Sequence, residues 1–85
     1  MRTFEYTIRD AVGIHARPAG LLVNKVKAYA SAVTLEKGGK SADASRLFAV
    51  MGLGVKCGDR VTVRVEGADE ETAASELQAF FEENL

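Results

Sequence analysis

The sequence predicts an α+β fold in which four strands form one antiparallel sheet and three helices cover a single face of it. Apolar residues with strand-like and helix-like spacing alternate in the order strand, helix, strand, strand, helix, strand, helix. The adjacent glycines Gly38 and Gly39 predict a tight hairpin between the second and third strands. With 85 residues and no linker or repeat, the chain is expected to form one domain, 1–85, around one core.

The first strand and the first helix differ in their apolar period. In TFEYTIR, Phe4, Tyr6 and Ile8 alternate with polar residues, which is typical of a strand with one buried face. From about Ala16 to Ala30 the spacing becomes helical. Pro18 fits only the first turn of that helix, where its missing N–H costs nothing. The expected buried stripe consists of Ala19, Leu22, Val23, Val26 and Ala30.

The middle of the chain contains two short strands and a short helix. Val33 and Leu35 share one face of the second strand, and the third strand follows the glycine pair. The segment SRLFAVMGLG has room for no more than about two helical turns. Its apolar residues are too numerous for one buried stripe: Leu47, Phe48, Val50, Met51 and Leu53.

The last strand and the last helix have the clearest patterns. In RVTVRVE, three valines alternate with polar residues, so this strand buries one face and exposes the other to water. The final segment begins with Asp69 as the expected N-cap, and the acidic residues in its first turn interact favourably with the helix dipole. Its expected buried stripe consists of Ala73, Leu77, Phe80 and Phe81.

Composition and charge exclude several classes of function. The net charge of -1 combines +6 over residues 1–64 with -7 over residues 65–85. The basic residues are scattered and lack interleaved aromatics, so we expect no nucleic-acid partner. No apolar run approaches a membrane span, and MRTFEYTIRD does not resemble a signal peptide. The single cysteine, Cys57, cannot form an internal disulfide, which predicts a reducing, cytoplasmic location.

The stretch DAVGIHARPAGLLV contains the only histidine and the only proline of the chain, His15 and Pro18. Gly13 allows an unusual backbone or a close approach just before the histidine. Because Pro18 fixes the helix start, His15, Ala16 and Arg17 lie at its amino end, where unpaired N–H groups favour an anion. The Arg17 guanidinium suits phosphate oxygens. Phosphoryl transfer to and from a neutral imidazole uses all of these features.

Other interpretations remain open at this point. A catalytic pair of Cys57 and His15 is conceivable, although nothing places the thiol near the imidazole or activates it. A small ferredoxin-like ligand-binding domain would have the same element order but would leave the His-Ala-Arg-Pro stretch unexplained. One histidine and one distant cysteine form no metal cluster, and no Walker-type loop is present. We therefore expect neither a metal nor another cofactor.

GIHARPAG at Gly13–Gly20, followed by LFAVMGLG at Leu47–Gly54, resembles the HPr family, the histidine-containing phosphocarriers of the bacterial phosphoenolpyruvate-dependent sugar phosphotransferase system. The resemblance covers essentially the whole chain and implies an open-faced β-sandwich with the order βαββαβα. It implies that His15 accepts a phosphoryl group on Nδ1 from enzyme I and passes it to sugar-specific IIA domains. Arg17 and the amides of Ala16 and Arg17 would stabilise that group. The chain would then be a monomeric carrier rather than an enzyme.

The same resemblance implies a docking surface beside the histidine. We expect its residues to be Ala16, Gly20, Leu47, Phe48 and Met51, with the last three partly exposed. The alternative is that these three apolar side chains belong to the core. The second candidate for the function is a regulatory relative that acts by binding a transcription factor or an enzyme. Such a role does not need a nucleophile.

Two positions depart from the family pattern. In many Gram-positive relatives an ATP-dependent kinase phosphorylates a serine at the start of the second helix, and Arg46 occupies that position here. Ser45 stands one residue earlier, where it is expected to be the N-cap of the helix. Regulation by HPr kinase/phosphorylase is therefore not expected, and Ser45 is the residue that would have to substitute. Val12 replaces a residue that is often polar, so the support of the loop before His15 must differ.

Overall fold

The computed structural model describes residues 1–85 and has the element order that the apolar periods predict. The elements are β1 (Arg2–Thr7), α1 (Ala16–Lys27), β2 (Ala32–Lys37), β3 (Lys40–Asp43), α2 (Leu47–Gly52), β4 (Arg60–Glu66) and α3 (Glu70–Asn84). The strands form one antiparallel sheet in the order β1–β4–β2–β3. The three helices cover its apolar face, so the predicted open-faced α+β sandwich is confirmed.

Alternation along the strands separates an apolar sheet face from a polar one. Val63 of the central strand β4 lies opposite Phe4 of β1 and Leu35 of β2, and all three pack in or against the core. On the other face, Arg64 of β4 pairs with Glu36 of β2 at 3.3 Å. The polar alternates of the strands therefore form the uncovered face, as their spacing predicts.

One cluster of 20 buried apolar residues forms the core. Phe81 of α3 is fully buried, and its ring meets those of Phe4 and Tyr6 edge to face at centroid distances of 5.8 and 5.6 Å. Complete burial of a side chain of this size contributes about 1.5–3 kcal/mol. The helical stripes are confirmed at most of their predicted positions: Ala19, Leu22, Val23, Val26, Ala73, Leu77 and Phe81.

The predicted stripes are wrong at two positions. The helix α1 ends at Lys27, and Ala30 is exposed beyond its end. The chain leaves the helix through a tight turn in which the Ala28 N–H donates to the Lys25 carbonyl at 3.1 Å. Phe80 is only partly buried, against the neighbouring ring of Phe81.

Asp69 is the N-cap residue of α3, but its carboxylate does not cap the helix as predicted. The carboxylate accepts hydrogen bonds from the Ser31 hydroxyl and from the N–H groups of Ala30 and Ser31. These hydrogen bonds hold the pKa of Asp69 below its usual value, and the bond from the Ser31 hydroxyl has the largest effect. Asp69 therefore fastens the α1–β2 connection to the start of α3. The carboxylate of Glu70 accepts the Gly67 N–H at 3.2 Å in that first turn.

Candidate functional site

His15 is the N-cap residue of α1, and its side chain is exposed. Its backbone is extended, with φ -111° and ψ -169°, and its carbonyl accepts the Ala19 N–H at 2.9 Å. The imidazole makes no capping hydrogen bond to the helix. The helix start is therefore built on the backbone of His15, and both ring nitrogens remain available to a ligand.

The first turn of α1 has the properties of an anion site. Pro18 is buried as the third residue of the helix, in the first turn, as its missing N–H predicts. Ala16 and Arg17 occupy the two preceding positions, where N–H groups have no partner within the helix. The turn contains no acidic residue. Arg17 is exposed, and none of the seven ion pairs of the structure involves it. Its guanidinium therefore has no carboxylate within ion-pair distance.

His15 and Arg17 line the same open cleft of about 280 Å³. The residues around it come from the loop before α1, from α1 itself and from the end of α3: Asp10, His15, Arg17, Pro18, Leu21, Glu83 and Asn84. Asp10, Leu21 and the α3 residues were not predicted as site residues. Leu21 precedes the buried Leu22 and falls outside the apolar stripe, so its exposure could have been predicted. No local pattern indicates Glu83 and Asn84, because the path of α3 across the domain places them there.

Gly13 shows both features that its position predicts. Its φ is +79°, and a Cβ there would meet the Val55 carbonyl oxygen and lie 2.6 Å from the Lys56 Cα. The next residue, Ile14, donates its N–H to the same Val55 oxygen at 3.0 Å. The loop that leads to His15 is therefore packed against the connection between α2 and β4.

The helix α2, which carries three of the candidate docking residues, is in contact with α1. Phe48 is 85% exposed and Leu47 is 36% exposed, whereas Val50 is fully buried and Met51 is partly buried. On α1, Ala16 is exposed and Gly20 is half-buried. The alternative that Phe48 belongs to the core is therefore wrong, and the excess apolar residues of α2 are exposed chiefly at Phe48 and Leu47.

Ser45 does not cap α2, in contrast to the prediction. The N-cap residue is Arg46, and the Ser45 hydroxyl donates to Asp43 Oδ1 at 2.6 Å. The Ser45 N–H donates to the same oxygen at 2.9 Å. These two hydrogen bonds hold the pKa of Asp43 below its usual value, and the bond from the Ser45 hydroxyl has the larger effect. The carboxylate of Asp43, at the end of β3, thus orders the turn into α2 and accepts the hydrogen bond of the Ser45 hydroxyl.

Cys57 is exposed and does not line the cleft of His15. Its sulfur lies 3.8 Å from the Arg9 carbonyl oxygen. The thiol of Cys57 is therefore not paired with the imidazole of His15. No group of three or more histidine, cysteine, aspartate or glutamate residues could hold a metal ion. None of the helices combines the length and the apolar character needed to cross a bilayer.

Known proteins resemble this chain over almost its whole length. The family model "PTS HPr component phosphorylation site" matches residues 2–83. Phosphocarrier protein HPr of Lysinibacillus sphaericus is 41% identical over 83 residues, which are 98% of this chain and 94% of the relative.

Solved structures resemble the fold equally well. HPr-C-His from Thermoanaerobacter tengcongensis has a TM-score of 0.92 at 35% identity, covering 96% of this chain and 92% of that one. The catabolite repression protein Crh of Bacillus subtilis, described as an intertwined dimer with a swapped domain, has a TM-score of 0.79 at 36% identity, covering 94% and 92%. On the strength of the family match and the identity over nearly its full length, this chain belongs to the HPr family of phosphocarriers.

Proposed function

We propose that this chain carries phosphoryl groups in the sugar phosphotransferase system. His15 accepts the group from phosphorylated enzyme I and passes it to sugar-specific IIA domains. The observation that carries the proposal is the exposed imidazole of His15 at the start of α1, in one cleft with the unpaired guanidinium of Arg17. Membership of the HPr family supports it.

In the proposed transfer, Nδ1 of the neutral His15 imidazole attacks the phosphorus. The bond between phosphorus and the donor breaks as the Nδ1–P bond forms, and the reverse exchange delivers the group to the IIA domain. The phosphoryl oxygens carry about two negative charges, by analogy with phosphorylated hydroxyls. Arg17 and the amides of Ala16 and Arg17 hold these oxygens, since cations and free helix amides favour an anion there.

The docking surface proposed for both partners consists of Ala16, Gly20, Leu47, Phe48 and Met51. Its apolar centre is Phe48, whose ring is almost wholly in water in the isolated chain. An exposed aromatic side chain of this kind is typical of an interface anchor. Because α2 is in contact with α1, we expect a partner seated on Phe48 to reach His15 as well.

Phosphorylation by enzyme I tests the proposal. The protein is incubated with enzyme I, phosphoenolpyruvate and magnesium, and its intact mass is measured. We expect one added phosphoryl group that is labile in acid and absent from His15→Ala. No adduct on the wild type, with an enzyme I that phosphorylates another carrier, would refute the proposal.

We do not expect control by HPr kinase/phosphorylase, because Arg46 replaces the serine and the Ser45 hydroxyl is bonded to Asp43. Incubation with that kinase and ATP should leave the chain unmodified. An acid-stable phosphate on Ser45 would contradict this.

The second candidate is a regulator that acts by binding alone, which the likeness to Crh favours. A regulator of that kind needs neither the exposed His15 nor Arg17, so it would tolerate His15→Ala. The carrier is also expected to be monomeric, although related structures include dimers. Light scattering at several concentrations tests this, and a stable dimer mass would contradict it.

A further inference from the structure

We propose that Asp10 is a positioning residue for transfer at His15. Its carboxylate acts as a hydrogen-bond acceptor, rather than as a charge, and holds the loop that presents the imidazole. The assignment rests on the proposed function, because it concerns the rate of phosphoryl transfer.

Asp10 closes the turn that precedes the histidine. Its Oδ1 accepts the Val12 N–H at 2.9 Å, and its carbonyl oxygen accepts the Gly13 N–H at 3.1 Å. The Asp10 N–H donates to the Leu85 carbonyl at 2.8 Å, which ties the start of the turn to the end of α3. One residue thus orders the turn through both its backbone and its side chain.

No other side chain performs this task. Between residues 10 and 15, the bond from Val12 to Asp10 is the only hydrogen bond between a side chain and the backbone of the loop. The Val12 side chain is 64% exposed and has no polar atom. The aspartate therefore supplies the support that position 12 cannot provide in this chain.

The turn is coupled to His15 over a short and rigid path. Gly13 ends the turn at φ +79° against the backbone of Val55 and Lys56, and Ile14 is bonded to the Val55 oxygen. His15 follows directly as the N-cap of α1. A change in the turn therefore alters the direction in which the chain enters the helix, and with it the position of the imidazole relative to Arg17.

The contacts of Asp10 favour an acceptor role over a charge role. Asp10 lines the cleft together with Arg17, but neither residue takes part in any ion pair of the structure. The one contact that its carboxylate makes is the bond to the Val12 amide. An uncharged amide oxygen at the same place can still accept that bond, although more weakly than a carboxylate does.

The test compares Asp10→Asn, which keeps the acceptor and loses the charge, with Asp10→Glu, which keeps the charge and moves the acceptor by one methylene. Asp10→Ala removes both, and Glu82→Gln is a charge control, since no hydrogen bond or ion pair involves the Glu82 side chain. Transfer from enzyme I is followed at several carrier concentrations to separate the maximal rate from KM. Amide hydrogen exchange of Val12 and Gly13 is measured on the unphosphorylated proteins, whose folding is checked by circular dichroism.

We expect Asp10→Glu and Asp10→Ala to lower the maximal rate about tenfold with KM unchanged, because a misplaced reacting group loses rate rather than affinity. Their Val12 amide should exchange faster. Asp10→Asn and Glu82→Gln should stay within about twofold of the wild type in rate and keep the Val12 amide protected. If Asp10→Ala does not fold, the comparison of Asp10→Asn with Asp10→Glu decides alone.

Two results would overturn the assignment. Slow transfer in Asp10→Asn with normal transfer in Asp10→Glu would show that the charge matters and the acceptor does not. Wild-type rates in Asp10→Glu and Asp10→Ala, whatever their amide exchange, would show that the turn does not position His15. Both differ from failure of the proposed function, in which the wild type itself accepts no phosphoryl group from an active enzyme I.

Discussion

Gly13→Ala tests how the loop before His15 is held in place. The substitution adds a single methyl group, which would meet the Val55 carbonyl oxygen and lie 2.6 Å from the Lys56 Cα. Both are backbone atoms, so a side-chain rotation cannot make room. The residue must also adopt φ near +79°, where an L-residue with a Cβ is strained.

The free-energy cost has two parts. The positive φ costs roughly 1–2 kcal/mol, less about 0.4–1 kcal/mol for the stiffer unfolded chain. Forcing the loop away from Val55 costs about 1–3 kcal/mol, which includes the weakened bond from the Ile14 N–H to the Val55 oxygen. Gly39→Ala is a matched control, because Gly39 has φ +84° and open space where its Cβ would lie. Gly39→Ala therefore incurs only the cost of the positive φ.

Urea unfolding followed by circular dichroism measures both free energies of unfolding. We expect Gly13→Ala to lose about 1–3 kcal/mol more than Gly39→Ala. We also expect only Gly13→Ala to slow phosphoryl transfer, since the displaced loop leads to His15. Equal losses of stability in the two variants would refute the reasoning, because they would mean that the contact with Val55 and Lys56 costs nothing to displace.

The remaining predictions concern the anion site, the docking surface and the response to acid. Arg17→Ala should slow transfer roughly tenfold to a hundredfold in single-turnover assays without changing stability, because a charge-assisted hydrogen bond is worth about 1.5–3 kcal/mol; an unchanged rate would contradict its role. Phe48→Ala should raise KM for enzyme I and unfold at the same urea concentration as the wild type. Val50→Ala should instead destabilise the domain, because Val50 is fully buried. A Phe48→Ala variant that unfolds early would mean that the ring is structural. Since the pKa of Asp69 is held below its usual 3.8, its contribution to stability is complete above that pH and is lost as the pH falls through the lowered value. The urea midpoint of the wild type should therefore fall more steeply below about pH 4 than that of Asp69→Asn, and parallel curves would exclude this contribution.

Local chemistry determined much of the fold and part of the site. Side chains of a strand alternate between its two faces, so the spacing of Val61, Val63 and Val65 between polar residues predicts both the strand and its buried face. Pro18 lacks an N–H and belongs in a first helical turn, which places His15 and Arg17 at the helix start. These predictions succeed because each depends on one residue and its near neighbours along the chain.

Only the tertiary structure decided which distant groups meet. Asp69 has the right residue type to cap α3, yet its carboxylate is bound by Ser31, 38 positions earlier in the chain. In the same way, Glu83 reaches the His15 cleft only because α3 crosses the sheet to that end. A carboxylate accepts hydrogen bonds from whichever donors packing brings within about 3 Å, and the sequence does not encode that proximity locally. The sequence by itself therefore determined the helix start and the candidate nucleophile and cation that lie there, His15 and Arg17. The packing decided what supports the loop and which side chains of α2 remain exposed.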